Sequence, residues 1–320
     1  MGTVLQTDFA WPDTEIERAI IEAKGHKFVV APPDALTASD IEALVETHDP
    51  NGIMACWAPI SAAAIRKPTD LRIVQRIGVG LDNISVEEAT KRGCWVTNVP
   101  DYCVEEVSDH AIALLLSWAR GTIAFDRHVK AGRWDPSCAR LRRVADLSVG
   151  IIGFGPIARR TLAKLSAFDC KVIVHRASGA AVDGVTVVAL KELITTSDVI
   201  ILQAPLTEAT RHLIDADQLS RAKADAFLIN VSRGSLIDTE ALIKALRDGA
   251  LGGCALDVLE GEPDPPRELV ERDDVIVTPH IAFSSDASLT ELRRRSAEEV
   301  VRVLEGKVPH HPCNQPAALS

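Results

Sequence analysis

The sequence lacks the features that mark a metalloprotein or a secreted protein. Its seven cysteines form no Cys-x-x-Cys pair and no metal-ligand spacing. Their odd number in a chain of 320 residues fits free thiols in a reducing compartment. The N-terminal segment has no basic start followed by an apolar run of signal-peptide length. We therefore expect a cytoplasmic protein without a bound metal ion.

A cationic surface and a long apolar run are missing as well. The formal net charge is −10, and the lysines and arginines are scattered, which argues against nucleic acid or an anionic membrane surface as a partner. The most apolar helical segment, residues 104–119, contains Glu105, Glu106, Asp109 and His110 and does not qualify as a membrane span. The sequence predicts neither a nucleic-acid-binding nor a membrane protein.

The chain instead contains two runs of alternating strands and helices. One run fills the first hundred residues, and the second begins after a long helix at 104–120 and a polar stretch. Such alternation predicts parallel sheets with helices on their faces, an α/β fold. The first helix is predicted to open on a capping box of Thr14 and Glu17. At 320 residues and 47% hydrophobic, the chain is long enough for two domains.

A glycine-rich loop follows an apolar strand in "SVGIIGFGPIARR". Gly153, Gly155 and Ala158 form G-x-G-x-x-A at the start of a helix, the context expected of a dinucleotide-binding fingerprint. Gly153 permits the tight turn, Gly155 lets a pyrophosphate approach the backbone, and Pro156 suits the first helical position. The alternative is a tight strand-to-helix turn with no ligand.

The end of the next strand, "KVIVH", carries a base where such cradles usually hold an acid. A carboxylate there would accept hydrogen bonds from the ribose hydroxyls, whereas the guanidinium of Arg176 would attract a 2'-phosphate. Together with Ser178 and His175, Arg176 favours NADP over NAD. NAD stays possible if Arg176 is an exposed residue beside a cofactor held by other contacts.

Three later segments each begin at the C-terminal end of an apolar strand: "LINVSRGSLIDTEAL", "GGCALDVLEGEP" and "VIVTPHIAFSS". With "RIGVGLDNIS", "VPDYCVEEVSDHAIALLL" and "LQAPLTEATRHLI" in this order, nearly the whole chain resembles the D-isomer-specific 2-hydroxyacid dehydrogenases. Within that family, "VPDYCVEEV" is most similar to the branch that includes the C-terminal-binding proteins. Gln203 and Arg176 depart from the family's usual residues at their positions.

The resemblance implies an NAD(P)-dependent oxidoreductase that interconverts a 2-oxo acid and a D-2-hydroxy acid. Arg233 would hold the substrate carboxylate and its 2-oxo oxygen, a bidentate task suited to guanidinium. His280 would protonate the carbonyl oxygen, and Glu262 would orient the imidazole and favour its charged form. The alternative is a dinucleotide-sensing binding protein like the C-terminal-binding proteins, against which the lack of long disordered tails weighs.

The resemblance also implies residues that bind the ligands. Trp57 and the backbone of Val79 and Gly80 would contact the substrate, Val231 would back the nicotinamide, and Asp257 would bind its carboxamide. Further cofactor contacts are implied for Cys103, Pro156, Ile157, Pro205 and Thr210.

The family fold implies two domains, Rossmann-like and flavodoxin-like, with a cleft between them. Residues 1–100 and 291–320 would form the substrate-binding domain, and residues 101–290 the dinucleotide-binding domain. The helix at 104–120 resembles the family's dimer-forming helix, which predicts a homodimer. The alternative is a core helix within one chain, which would show the same spacing of apolar residues.

Overall fold

The structure is a computed structural model that describes residues 1–35 and 37–316. The chain divides into two units: unit 1 contains Met1–Tyr102 and the chain from Ser285 onward, and unit 2 contains Cys103–Ser284. The second division falls before the last helix of the chain, whereas the predicted boundary at residue 290 lies inside that helix. The whole helix therefore belongs to unit 1.

Unit 1 alternates strands and helices from its first residues. Its elements before the chain enters unit 2 are β1 (Thr3–Gln6), α1 (Glu15–Glu22), β2 (Lys27–Val30), α2 (Ala38–His48), β3 (Gly52–Ala55), α3 (Ala62–Arg66), β4 (Ile73–Arg76), α4 (Val86–Lys91) and β5 (Trp95–Thr97). The five strands form a parallel sheet in the order β2-β1-β3-β4-β5. This is the flavodoxin-like strand order.

Unit 2 repeats the alternation around a larger sheet. Its elements are α5 (Val104–Arg120), α6 (Thr122–Lys130), β6 (Ser148–Ile152), α7 (Pro156–Leu165), β7 (Lys171–His175), β8 (Thr186–Val187), α8 (Leu190–Thr196), β9 (Val199–Leu202), α9 (Ala216–Arg221), β10 (Phe227–Asn230), α10 (Thr239–Arg247), β11 (Gly253–Leu256), α11 (Arg267–Val270) and β12 (Val275–Val277). The parallel strand order is β12-β11-β10-β9-β6-β7-β8. The predicted α/β class with two parallel sheets is confirmed.

The strand order of unit 2 determines where a ligand can bind. The chain first adds strands on one side of β6, through β7 to β8, and then returns to the other side of β6 with β9. Open parallel sheets bind ligands at such a reversal, outside the carboxyl ends of the strands. Strands β9, β10 and β11 are buried along their whole lengths, so the sheet is a fixed support for the loops at that edge.

The last helix in the described part of the chain is α12 (Asp286–Leu304), which packs on α1 in unit 1. The predicted capping box at the start of α1 is wrong, because Thr14 makes no side-chain cap hydrogen bond. Glu17 is fully buried and instead accepts hydrogen bonds from Arg293 of α12 at 2.9 Å. Removing one partner of such a buried pair costs about 3–5 kcal/mol. The local pattern at Thr14 and Glu17 gave no sign of this long-range partner.

No helix in the described part of the chain is long and apolar enough to span a membrane. The helix α5, for example, has acidic residues in its first turn and Arg120 in its last.

Candidate active site

The glycine-rich loop joins β6 to α7 at the centre of the larger sheet. Gly153 has a φ of +97°, and a Cβ at this position would overlap the carbonyl group of Gln203. An added Cβ on Gly155 would meet no atom within 4 Å, so the space beside Gly155 is open. Pro156 is the first residue of α7. This loop fits a pyrophosphate, which can approach the backbone at Gly155 and the N-terminus of the helix.

The end of β7 lies beside the same loop. The N–H of Gly153 donates to the carbonyl oxygen of His175 at 2.8 Å, and His175 Nδ1 lies 3.1 Å from the carbonyl oxygen of Val188. Arg176 follows on a turn closed by the Gly179 N–H. Its guanidinium forms no ion pair with any residue in 1–35 or 37–316, and Ser178 is exposed beside it. The charge of Arg176 is therefore available to an anionic ligand.

Five further predicted cofactor residues occupy four places in unit 2. Thr210 donates its hydroxyl proton to the carbonyl oxygen of Pro205 at 2.7 Å and so closes the loop after β9. Val231 directly follows β10, the neighbour of β9 in the sheet, and is 8% exposed. Cys103 is buried at the start of α5. Ile157 is half-buried in the first turn of α7.

Arg233 lies in the loop after β10, where a one-turn 3-10 helix, Gly234–Leu236, begins. The side chain of Asn230 brackets this loop, because its amide donates to the Arg233 carbonyl at 2.9 Å and accepts from the Ser232 N–H at 3.0 Å. A Cβ on Gly234 would overlap the backbone of Leu259 and Glu260. The Arg233 loop thus lies directly against the loop that carries Glu262.

Glu262 and His280 meet across the next two strand ends. His280 Nδ1 lies 2.8 Å from Glu262 Oε2, and the Leu259 N–H donates to Glu262 Oε1 at 2.6 Å. Burial alone would raise the pKa of the Glu262 carboxyl, but these hydrogen bonds and the charges of His280 and Arg233 hold the pKa below its ordinary value. A carboxylate can only accept, so His280 Nδ1 is the donor.

Comparisons with known proteins identify the family to which this fold belongs. Residues 112–282 match the model of the D-isomer specific 2-hydroxyacid dehydrogenase, NAD binding domain. A glyoxylate reductase of Korarchaeum cryptofilum is 37% identical over 80% of this chain and 80% of its own. The chain belongs to the D-isomer-specific 2-hydroxyacid dehydrogenase family. The residues matched to the NAD binding domain all lie in unit 2, and the protein is an oxidoreductase.

Two solved structures extend the likeness across both units. D-Lactate dehydrogenase from Aquifex aeolicus, complexed with NAD and lactic acid, has a TM-score of 0.88 and 26% identity and covers 98% of this chain and 100% of its own. The acyclic imino acid reductase Bsp5, in complex with NADPH and D-Arg, has a TM-score of 0.85 and 26% identity over 98% of this chain and 100% of its own. Family membership, predicted from the motifs, is confirmed, and the closer resemblance to the C-terminal-binding proteins stays a prediction.

In unit 1, the predicted substrate residues share the carboxyl edge of the smaller sheet. Trp57 follows β3 and is 41% exposed, and its N–H donates to Asp8 Oδ2 at 2.6 Å. Val79 and Gly80 follow β4, and Asn98 donates to the Val79 carbonyl at 2.7 Å. The structure therefore brings these three residues to one edge.

Asp257 is 2% exposed and belongs to a cluster that the sequence analysis missed. Its Oδ1 accepts from the Thr278 hydroxyl at 2.6 Å and the Ile281 N–H at 3.0 Å. His110 on α5 lies 3.0 Å from the same hydroxyl. The family motifs contain these residues, but no spacing in the sequence shows that a helix residue at 110 meets the end of β12.

The helix α5, for which a dimer role is predicted, buries one face within its own chain. It packs against α7 and β10, and Trp118 stacks on Phe227 of β10 with ring centroids 4.7 Å apart. None of the residues of α6, which the sequence analysis did not predict, is buried. Large exposed apolar side chains occur on α6 and the segment after it, at Val129, Trp134 and Leu141.

Proposed function

We propose that this protein reduces a small 2-oxo acid to the D-2-hydroxy acid with Arg233, Glu262 and His280 as its catalytic residues. The observation that carries the proposal is the 2.8 Å contact between Glu262 and His280 at strand ends next to the Arg233 loop. Each of the three side chains taken alone has an ordinary structural explanation. Their convergence at one edge of a dinucleotide-binding sheet is what a carbonyl reduction requires.

The roles of the side chains follow from their chemistry. Arg233 offers a planar set of donors that fits the carboxylate and the adjacent carbonyl oxygen of a 2-oxo acid. His280 Nδ1 donates to Glu262, so Nε2 is the ring nitrogen that transfers a proton to the developing alkoxide. A bound nicotinamide dinucleotide would supply the hydride that C2 receives. In the oxidative direction the same imidazole takes the hydroxyl proton.

The substrate we propose to test first is glyoxylate. The relative from Korarchaeum cryptofilum is named a glyoxylate reductase, as are relatives from Pyrococcus and Thermococcus species. In this proposal unit 1 is the substrate-binding domain, and Trp57, Val79 and Gly80 contact the acid. Steady-state rates on a panel of glyoxylate, hydroxypyruvate, pyruvate and bulkier 2-oxo acids, with NADPH and with NADH, test it.

Two outcomes of that panel are decisive. Turnover of at least one 2-oxo acid that disappears in His280→Asn supports the proposal. Dinucleotide binding without turnover of any member contradicts it and favours the alternative, a dinucleotide-sensing binding protein. The relatives from Korarchaeum, Pyrococcus and Thermococcus are named reductases and give that alternative no support.

For the cofactor we propose a preference for NADP, with NAD as the weaker ligand. The support is Arg176, whose guanidinium is uncommitted among the described residues and follows the strand next to the glycine loop. A structural neighbour was solved with NADPH, although another was solved with NAD. Fluorescence titration of wild type and Arg176→Asp with both cofactors tests the preference. We expect the variant to lose roughly 10- to 100-fold in NADPH affinity and little in NADH affinity.

For assembly and location we propose a cytoplasmic homodimer. One face of α5 is buried within its own chain, so α5 can contribute only its outer face. The exposed side chains of Val129 on α6 and Trp134 after it add apolar surface nearby in sequence. An exposed apolar patch of this kind is typical of an interface. Light scattering of the purified protein and of Trp134→Ser tests this, since a monomeric wild type contradicts it.

A further inference from the structure

The backbone of His280 adopts a conformation that must be held in place. Its φ is +53°, in the left-handed region that costs a non-glycine residue about 1–2 kcal/mol. The His280 N–H donates to the carbonyl oxygens of Asp257 at 2.8 Å and Thr278 at 3.0 Å. The direction of the imidazole thus depends on how firmly the turn at 278–282 is fixed.

Asp257 is the group that fixes this turn. Its Oδ1 accepts from the Thr278 hydroxyl and the Ile281 N–H, and its Oδ2 accepts from the Ala282 N–H at 2.9 Å. The carboxylate therefore holds residues on both sides of His280. With 2% of its surface exposed, Asp257 makes these hydrogen bonds away from competing water.

The direction of the hydrogen bonds at Thr278 shows which atom is the donor between Thr278 and His110. The Thr278 hydroxyl has one proton, and the 2.6 Å contact with an acceptor-only carboxylate uses it. His110 Nε2, which lies 3.0 Å from the Thr278 oxygen, must then be the donor. The same nitrogen lies 3.6 Å from Asp257 Oδ1. A hydrogen-bonded chain thus runs from α5 through Thr278 and Asp257 to the backbone of the His280 turn.

We propose that His110 is a positioning residue for catalysis, which acts on His280 through Thr278 and Asp257. This inference rests on the proposed function. Without the His110 donor, the Thr278 hydroxyl can rotate away from Asp257, and the carboxylate then loses one of its three donors. The turn relaxes from its left-handed conformation, and the imidazole moves away from Glu262. Small displacements of a catalytic group are costly, since about 1 Å can lower a rate by roughly 100-fold.

The test compares His110→Leu, which keeps the side-chain volume and removes the donor, with His110→Gln, which keeps a donor at the corresponding position. We expect kcat to fall about 10- to 100-fold in His110→Leu, with KM and Tm close to wild type, and to recover most of the loss in His110→Gln. Thr278→Val should reproduce the loss, and adding it to His110→Leu should cause no further decrease. His128→Leu on α6 is the matched control and should keep the wild-type kcat.

Amide hydrogen exchange gives a second test that does not depend on enzyme turnover. Amide hydrogen exchange at Ile281 and Ala282 should accelerate in His110→Leu and Thr278→Val and return toward wild type in His110→Gln. If the protein proves inactive on every 2-oxo acid but these amides respond as expected, the proposed function fails and the coupling stands. Unchanged kcat and exchange in His110→Leu overturn the inference. Equal losses of kcat and Tm in the Leu and Gln variants overturn it too, since they indicate a purely structural residue.

Discussion

The carboxyl edge of the larger sheet has two parts, one formed by backbone atoms and the other by side chains. The dinucleotide cradle between β6 and α7 consists of backbone and open space, and it depends on glycines with no side chains. The proposed catalytic edge at β10, β11 and β12 consists of side chains held by contacts between separate loops, such as Glu262 with His280. The comparison indicates that substitutions can damage cofactor binding and chemistry separately.

The largest expected effect is the loss of the proton donor. His280→Asn removes the imidazole and should lower kcat by about 10²- to 10⁴-fold, the usual contribution of general acid catalysis. NADPH affinity should stay within a few-fold of wild type because the cradle is untouched. Stopped-flow turnover and fluorescence titration on the same preparation measure both. A loss of NADPH affinity as large as the loss of kcat would show that cofactor binding and chemistry cannot be damaged separately at this residue.

The next effect concerns the shape of the carboxylate-binding group. Arg233→Lys keeps the charge and removes the planar fork, so we expect kcat/KM to fall roughly 10- to 100-fold, equivalent to one charge-assisted hydrogen bond. Saturation kinetics should show most of the loss in KM for the 2-oxo acid. Wild-type kcat/KM in Arg233→Lys would mean that another group holds the carboxylate.

Two neighbouring glycines give a matched pair within the cradle. Gly153→Ala places a Cβ against Gln203 at a φ of +97° and should destabilise unit 2 by about 1–3 kcal/mol. Gly155→Ala meets no atom, so it should leave Tm unchanged while NADPH affinity falls by about 10-fold, because the pyrophosphate loses its close approach. Calorimetry of both variants measures the change in Tm, and fluorescence titration measures the change in NADPH affinity. A stable Gly153→Ala would contradict the strain assigned to this turn, and full NADPH affinity in Gly155→Ala would show that the loop is only a tight turn.

The smallest effect is the pH dependence of stability from Glu262. Since its pKa is lowered from 4.5, the carboxylate stabilises the folded protein at pH values above 4.5, and the effect is lost as the pH falls through the lowered pKa. Glu262→Gln should therefore have a lower Tm than wild type at pH 7, with a gap that narrows on acidification. A gap that stays constant down to the acid transition would contradict the assigned ion pair with His280.

The same comparison explains what the sequence could predict. The glycine-rich loop is local, so the spacing of Gly153, Gly155 and Pro156 was sufficient to predict the turn between β6 and α7. The proposed catalytic residues follow three separate strands, and only their order along the family motifs pointed to them. The residues that hold these side chains in place were not predictable, because contacts such as His110 with Thr278 arise from tertiary packing. The Thr14 capping box failed for the same reason, since Glu17 found a distant partner in Arg293.

The measurement that tests the central claim most directly is the identity and chirality of the product. The purified protein is incubated with NADPH and pyruvate or hydroxypyruvate, and the product is resolved by chiral chromatography. We predict the D-2-hydroxy acid, formed in equal amount to the NADPH oxidised and absent with His280→Asn. Formation of the L-isomer, or no product from any 2-oxo acid despite dinucleotide binding, would contradict the account.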